Sequence, residues 1–252
     1  MPPARGRDYA SSMETVHLKD ASGAFRFAPL RRARFRLGAT RPGLLPADEG
    51  AEVAFAGRSN VGKSSVLNLL CGQKGLARVS RTPGRTQAIN IFDLDPGQRL
   101  VDLPGYGYAK VPGTMRQSWG NLLEQYMRQR RSLKAVVLVV DIRHAPSPFD
   151  LEMLAFARDC GQFIHVVANK ADKLSRGAAQ QYLRQLRGTA ELKGVDIQLF
   201  SALNGLGLEE LHRHMAFWLG AEASDPVRKN PFPEAGARPD PAISAIGHEP
   251  PA

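Results

Sequence analysis

Gly57-Arg58-Ser59-Asn60-Val61-Gly62-Lys63-Ser64-Ser65 matches G-x-x-x-x-G-K-[ST] at every fixed position. The run before it, Val53-Ala54-Phe55-Ala56, is short, apolar and glycine-bounded like a buried strand. After it, Val66, Leu67, Leu69 and Leu70 supply the apolar face of a helix. A phosphate-binding loop belongs between a strand and a helix, and this one is placed there. A polyphosphate must be wrapped in donors without side chains in the way, and Gly57 and Gly62 let the backbone approach and turn its N–H groups inward. Lys63 adds a point charge at the β- and γ-phosphates. The helix presents its positive N-terminal end, and the Ser64 hydroxyl can ligate Mg²⁺.

Downstream, the helix is expected to end near Gly72. Residues 78–87 (Arg78-Val79-Ser80-Arg81-Thr82-Pro83-Gly84-Arg85-Thr86-Gln87) are polar and punctuated by Gly and Pro, so they read as a mobile loop. Residues 88–94, opening with Ala88, read as a strand, Asp95-Pro96-Gly97 as a turn and residues 99–102 as the next strand, an antiparallel hairpin. Asp102-Leu103-Pro104-Gly105 has the form D-x-x-G, a carboxylate at a strand end before a turn that can offer a backbone N–H to a terminal phosphate. Residues 114–131 are an amphipathic helix with Trp119, Leu122, Leu123, Tyr126 and Met127 on one side, read as core.

Two continuous apolar runs, residues 135–140 and 163–168, are the signature of parallel strands covered on both faces, and a helix over 148–158 joins them. A further helix, a strand ending in Leu199-Phe200-Ser201-Ala202, and a last helix carrying Leu208, Leu211, Met215, Trp218 and Leu219 complete the alternation. The expected fold is α/β, a doubly wound, mostly parallel six-stranded sheet with one antiparallel strand and helices on both faces. Ligands in such sheets bind at the carboxyl ends of the strands, where every motif falls.

A P-loop alone leaves ATPases, kinases and GTPases open. Asn169-Lys170-Ala171-Asp172 decides between them, because a carboxylate accepts from the N1–H and N2–H₂ of guanine, a donor pair that adenine lacks on that edge. Asp172 is the candidate for this bidentate contact. Asn169 is expected to tie the base loop to the P-loop, and the Lys170 stem to lie over the ring. Phe200, Ser201 and Ala202 complete the pocket, with the Ala202 N–H directed at guanine O6. The implied ligands are GTP and GDP.

The composition narrows the class further. The chain has 252 residues, 43% of them hydrophobic, which suits one ample domain with extensions. No run approaches the roughly 20 apolar residues of a membrane span, and no signal core opens the chain, so a cytoplasmic protein is expected. Cys71 and Cys160 are poor material for a disulfide framework or metal site. A net charge of +10 favours a polyanionic partner, RNA above all, over the alternative of a merely basic solvated surface. Four regions are expected: a basic flexible arm (1–24), an N-terminal extension packing on the core (25–47), the nucleotide-binding domain (48–222) and a Pro-rich disordered tail (223–252). In the extension, Arg26, Arg31, Arg32, Arg34 and Arg36 interleave with Phe27, Leu30, Phe35 and Leu37, and its end alternates like a strand. An RNA-contacting patch and a solvated cationic leader are both open readings of it.

The ordered set GRSNVGKSS, RTPGRTQ, DLPGYGYA, NKAD and SA resembles the EngB/YihA/YsxC family of bacterial GTPases, within the TrmE-Era-EngA-EngB-septin class, over about residues 25–220. The resemblance implies a single P-loop GTPase domain with Mg²⁺, a role in assembling the large ribosomal subunit, and a requirement for normal septation during cell division. It implies that Ser64 and Thr86 ligate Mg²⁺, that Asp102 reaches it through water, and that Gly105 senses the γ-phosphate. Lys63, Thr86 and Gly105 are then the catalytic group. Gly84, Arg85, Thr86 and Gln87 form the nucleotide-contacting switch segment, with Thr82 as the competing switch threonine. Ras-like enzymes place Gln directly after D-x-x-G to orient the attacking water. This chain has Tyr106 there, expected to point away, so hydrolysis is expected to be slow until a partner or cation completes the site. Asn60 resembles the position that holds K⁺ in relatives of this class, which makes K⁺ a further candidate cofactor beside a simple loop hydrogen bond. The expected partner is the large ribosomal particle or its rRNA, with no small-molecule substrate besides GTP, and the chain is expected to be a monomer. Two rivals stand against this, a non-catalytic nucleotide-bound module of the division machinery and a P-loop nucleotide kinase.

Overall fold

The computed structural model describes residues 17–19, 23–77, 88–106 and 115–220, with side chains 17–19 and 115–120 left aside. Residues 78–87, expected above to be a loop and including Thr82 and Gly84–Gln87, lie outside the described residues, as do the Trp119 side chain and most of the segments 1–24 and 223–252.

Nine strands and five α-helices are described. They run β1 (His17–Lys19), β2 (Phe25–Phe27), β3 (Arg34–Ala39), β4 (Ala51–Gly57), α1 (Lys63–Leu70), β5 (Ile89–Asp93), β6 (Gln98–Asp102), α2 (Met115–Gln129), β7 (Leu133–Asp141), α3 (Pro148–Asp159), β8 (Phe163–Asn169), α4 (Arg176–Gly188), β9 (Asp196–Leu199) and α5 (Leu208–Trp218). β1 and β2 form a small antiparallel ribbon. The main sheet has the order β3-β5-β6-β4-β7-β8-β9. Only β5 runs against the rest, pairing antiparallel with both β3 and β6. The sheet therefore has seven strands rather than six. The seventh is β3, where the alternation after Phe25 extends the hairpin edge.

Strand parity builds two cores. In β4, Val53 and Phe55 face one side with Ala135, Val137 and Val139 of β7, beneath Leu67 and Leu70 of α1 and Leu211 and Met215 of α5. Ala54 and Ala56 face the other with Val136, Leu138 and Val140, beneath Leu123, Met153, Leu154, Leu183 and Leu186 of α2, α3 and α4. Both faces of β4 and β7 are thus covered, which explains why these strands read as continuous apolar runs rather than alternating ones.

The arginine-bearing extension is integrated with this core. Phe27 and Leu30 are fully buried, and the Phe27 N–H donates to His212 Nδ1 of α5 at 3.0 Å. Arg32 donates to Asp95 at 2.6 Å and Arg36 to Asp93 at 3.1 Å, so two of its cations pair with the β5–β6 hairpin. Among the described residues, no helix is long and apolar enough to cross a membrane.

Candidate functional site

Parallel register brings the strand ends into one row. Gly57 stands beside Val139, Asp102 beside Phe55, and Asp141 beside Asn169. β4 passes directly into the loop 57–62, and α1 begins at Lys63. Two backbone positions require glycine. Gly62, with φ of 95°, is left-handed, and a Cβ there would press on the Asn169 amide. A Cβ at Gly57 would come within 2.6 Å of the Val139 carbonyl oxygen. At these two positions the loop lies against the strand ends with no room for a side chain, as the close turns of a phosphate cradle require.

Lys63 and Asp102 converge at the foot of this loop. The Lys63 ammonium is ion-paired with Asp102 Oδ1 and donates to the Leu103 carbonyl at 2.8 Å. Ser64 and Ser65 follow in the first turn of α1, half-buried and exposed respectively. Leu103 is anchored by its N–H to the Phe55 carbonyl at 2.9 Å, and the Ser59 N–H donates to the Tyr106 carbonyl at 3.0 Å. Arg58 and Tyr106 form an isolated parallel bridge, so the P-loop and the 102–106 turn are stitched together. Pro104 is half-buried and Gly105 exposed at the surface of that turn. Ala88, half-buried, enters β5 beside it.

The Tyr106 side chain turns inward. It is 4% exposed, and its hydroxyl donates to Asp150 Oδ1 at 2.7 Å. Burial first, then the Asp150 carboxylate, pushes this phenol well above its ordinary pKa. The other Asp150 oxygen accepts from the Ser147 N–H and hydroxyl at 2.8 and 2.7 Å, closing a capping box at the start of α3.

At the base end, Asn169 is 1% exposed and bridges two loops. Its Nδ2 donates to the Val61 carbonyl at 2.9 Å, and its Oδ1 accepts from the Ala202 N–H at 3.2 Å. Lys170 is left-handed, with φ of 67°. Its ammonium donates to the Asn60 carbonyl at 2.7 Å and to Asp141 Oδ2 at 2.8 Å. Asn60 is itself left-handed at φ of 68° and exposed. The Ser201 hydroxyl accepts from the Leu203 and Asn204 N–H groups, which leaves its own proton to donate to Asp172 Oδ1 at 2.6 Å. That hydrogen bond, with Lys173 beside it, holds the Asp172 carboxyl below its ordinary range. Phe200 contributes through its backbone: its N–H donates to Ala168 and its carbonyl accepts from Ala171, while its ring is fully buried in the core.

The structure thus brings together Gly57–Ser65, Asp102–Gly105, Asn169–Asp172 and Phe200–Ala202. It also adds a residue that motif reading leaves without a role. Asp141 ends the apolar run of β7 just as Asp102 ends β6. Burial works against its charge, yet hydrogen bonds from Arg143 and Lys170 hold it far below the usual carboxylate range. It is the anchor that fixes the Lys170 stem, and its only signal in sequence is a carboxylate closing an apolar strand.

A family model described as a 50S ribosome-binding GTPase matches residues 52–170. The probable GTP-binding protein EngB of Aromatoleum aromaticum is 49% identical over 197 residues, covering 77% of this chain and 91% of that protein. Its counterpart in Nitrosococcus oceani is 51% identical over 194 residues, covering 75% and 96%. The crystal structure of a probable GTP-binding protein EngB matches with a TM-score of 0.53 at 27% identity, over 67% of this chain and 98% of that one. About half of the aligned residues are shared with the two sequence relatives across nearly their full length, and the chain belongs to the EngB family of P-loop GTPases.

Proposed function

We propose that this GTPase is a Mg²⁺-dependent switch that binds GTP between the P-loop and the Asn169–Asp172 loop, hydrolyses it slowly, and acts in assembly of the large ribosomal subunit, with normal septation depending on it. The observation that carries the reading is the Asn169 bridge. One buried amide holds Val61 of the phosphate loop and Ala202 of the base loop, so that Asp172 and Lys63 serve one nucleotide. The donor set suits Mg²⁺: a hydroxyl at the start of α1 (Ser64) and a carboxylate beside the phosphate-loop lysine (Asp102), with Thr86 as the second hydroxyl. When bound, that ion would supply charge neutralisation at the β- and γ-phosphates. Lys63 and the loop amides position the terminal phosphate, Gly105 offers it a backbone N–H, and Asp172 selects guanine.

Slow turnover follows from Tyr106. With its hydroxyl committed to Asp150, it offers no group to orient an attacking water. A ribosomal particle or K⁺ near Asn60 would complete the site. The partner reading is supported by the description of the matching family model and by the net charge of +10. The test is GTP turnover and co-sedimentation with large-subunit particles. Turnover is expected to favour GTP over ATP and to rise with particles or on replacing Na⁺ by K⁺. The GTP-bound form should sediment with the particles in a salt-sensitive way, as phosphate contacts require. Equal rates in K⁺ and Na⁺, with and without particles, would defeat the stimulation, and particle binding indifferent to nucleotide would defeat the switch.

A further inference from the structure

Toward the other end of β8, three side chains converge that take no part in nucleotide binding. His165 stands four residues before Asn169, roughly 13 Å along the strand at about 3.3 Å per residue. Asp196 opens β9 and is the direct register partner of His165. His214 reaches them from α5, which covers this face of the sheet. His165 and His214 are 0% and 2% exposed. The Asp196 side chain is 19% exposed and opens the cluster to solvent.

The distances suit a metal rather than a hydrogen-bonded triad. His165 Nδ1 lies 3.2 Å and His214 Nε2 3.3 Å from the same oxygen, Asp196 Oδ2. A tetrahedral ion with bonds of about 2.0–2.1 Å has ligand-to-ligand edges of roughly 3.3 Å. The tautomer of His165 is set from outside. Gln198 Nε2 donates to the Gly207 carbonyl at 2.8 Å, so its Oε1, 2.8 Å from His165 Nε2, is the acceptor and that nitrogen carries the proton. The Nδ1 side of the His165 ring faces the Asp196 carboxylate oxygen at 3.2 Å. That Nδ1 is buried and makes no hydrogen bond among the described residues. Trp218 stacks on His214 with centroids 5.0 Å apart and fixes the second ring. The Gln198 contact is the outer support that metal-ligating histidines regularly receive.

We infer that His165, Asp196 and His214 form a site for one divalent transition ion of the zinc class, tying β8 and β9 to α5. Two imidazoles and a single carboxylate favour such an ion over Mg²⁺ or Ca²⁺, which take oxygen ligands. Glu210, half-buried one turn before His214, interacts electrostatically with His165 and Asp196, and burial above all raises its carboxyl pKa. The ion would clamp the two strands whose far ends carry the Asn169–Asp172 and Ser201–Ala202 loops, so its effect is on stability rather than on phosphate chemistry.

The test uses tag-free, full-length protein stripped with a chelator and kept in Mg²⁺ and GDP, so that the nucleotide site does not take the added ion. Zn²⁺ and Co²⁺ are titrated into the wild type and into Asp196→Asn, whose partly exposed side chain tolerates the change, with GDP binding reporting that both are folded. The wild type is expected to take up one ion per chain, to give the intense visible absorption of four-coordinate Co²⁺, and to melt at a higher temperature with Zn²⁺. Asp196→Asn is expected to bind at least about tenfold more weakly. Absence of stoichiometric uptake by the wild type, or equal uptake by Asp196→Asn, overturns the assignment.

Discussion

Asp172 meets the base loop through Ser201, whose hydroxyl is oriented by two backbone N–H groups to donate to one of its oxygens. The carboxylate is thereby turned and kept ionised, as the proposed recognition of a two-donor base edge would require. Asp172→Asn replaces one acceptor with a donor. GTP affinity is expected to fall at least tenfold, about 1.4 kcal/mol or more, while affinity for xanthosine triphosphate rises. Competition binding with the two nucleotides checks this, and unchanged GTP preference would remove Asp172 from the base site. Tyr106 is the converse case, a residue beside the chemistry with its functional group facing the core. Tyr106→Phe keeps the packing and deletes the hydroxyl. It should lower unfolding stability by about 1–3 kcal/mol, the cost of an unmet buried acceptor on Asp150, and leave GTP turnover unchanged. A large fall in turnover with the fold intact would give the hydroxyl a role that its geometry denies.

Among the elements, β4 carries the phosphate loop, and its entry is held by a buried charge network. Glu52, 0% exposed, receives Arg130 at 2.6 Å, Arg99 at 3.1 Å and the Tyr126 hydroxyl at 3.0 Å. These partners come from β6, α2 and the turn after α2, so one carboxylate joins β4, β6 and α2. Glu52→Gln would leave two arginine heads facing a neutral amide in a desolvated site. The expected loss is about 3–5 kcal/mol, the range for breaking a buried pair from one side, read by urea unfolding. Tyr126→Phe, which keeps both ion pairs, should cost only about 1 kcal/mol. Equal losses in the two variants would mean that packing rather than charge holds the junction.

For the molecule as a whole, acid stability can be assigned to particular carboxylates. Asp48 accepts from the N–H groups of Arg131 and Ser132 and from the Ser132 hydroxyl at 2.8–2.9 Å. Burial pulls its pKa upward, but these bonds and the Arg130 charge outweigh burial and lower it. A depressed folded-state pKa gives stability that is complete above the unfolded value, about 3.9, and lost as pH falls through the folded value. The melting temperature is therefore expected to drop below about pH 4. Asp48→Asn should be less stable at neutral pH and lose less in that acid window. Parallel curves for the two proteins would place the acid limb elsewhere, for instance at Asp141.

The chemistry of the loops is legible in the order of residues because it depends on local geometry and on atoms within a few positions. G-x-x-x-x-G-K-S needs only glycine's freedom and a following helix. N-K-x-D needs only a carboxylate at a strand end. The apolar runs of β7 and β8 likewise announce strands covered on both sides. What the tertiary structure decided lies across long sequence separations. β3 joins the sheet because Arg34–Ala39 pairs with β5 fifty or more positions on, and Arg32 just before it and Arg36 within it find their partners in Asp95 and Asp93. The Asp141 anchor of Lys170, the inward turn of Tyr106 onto Asp150 and the meeting of His165, Asp196 and His214 have no local signature. Each depends on which strand ends and helix faces the parallel register sets side by side.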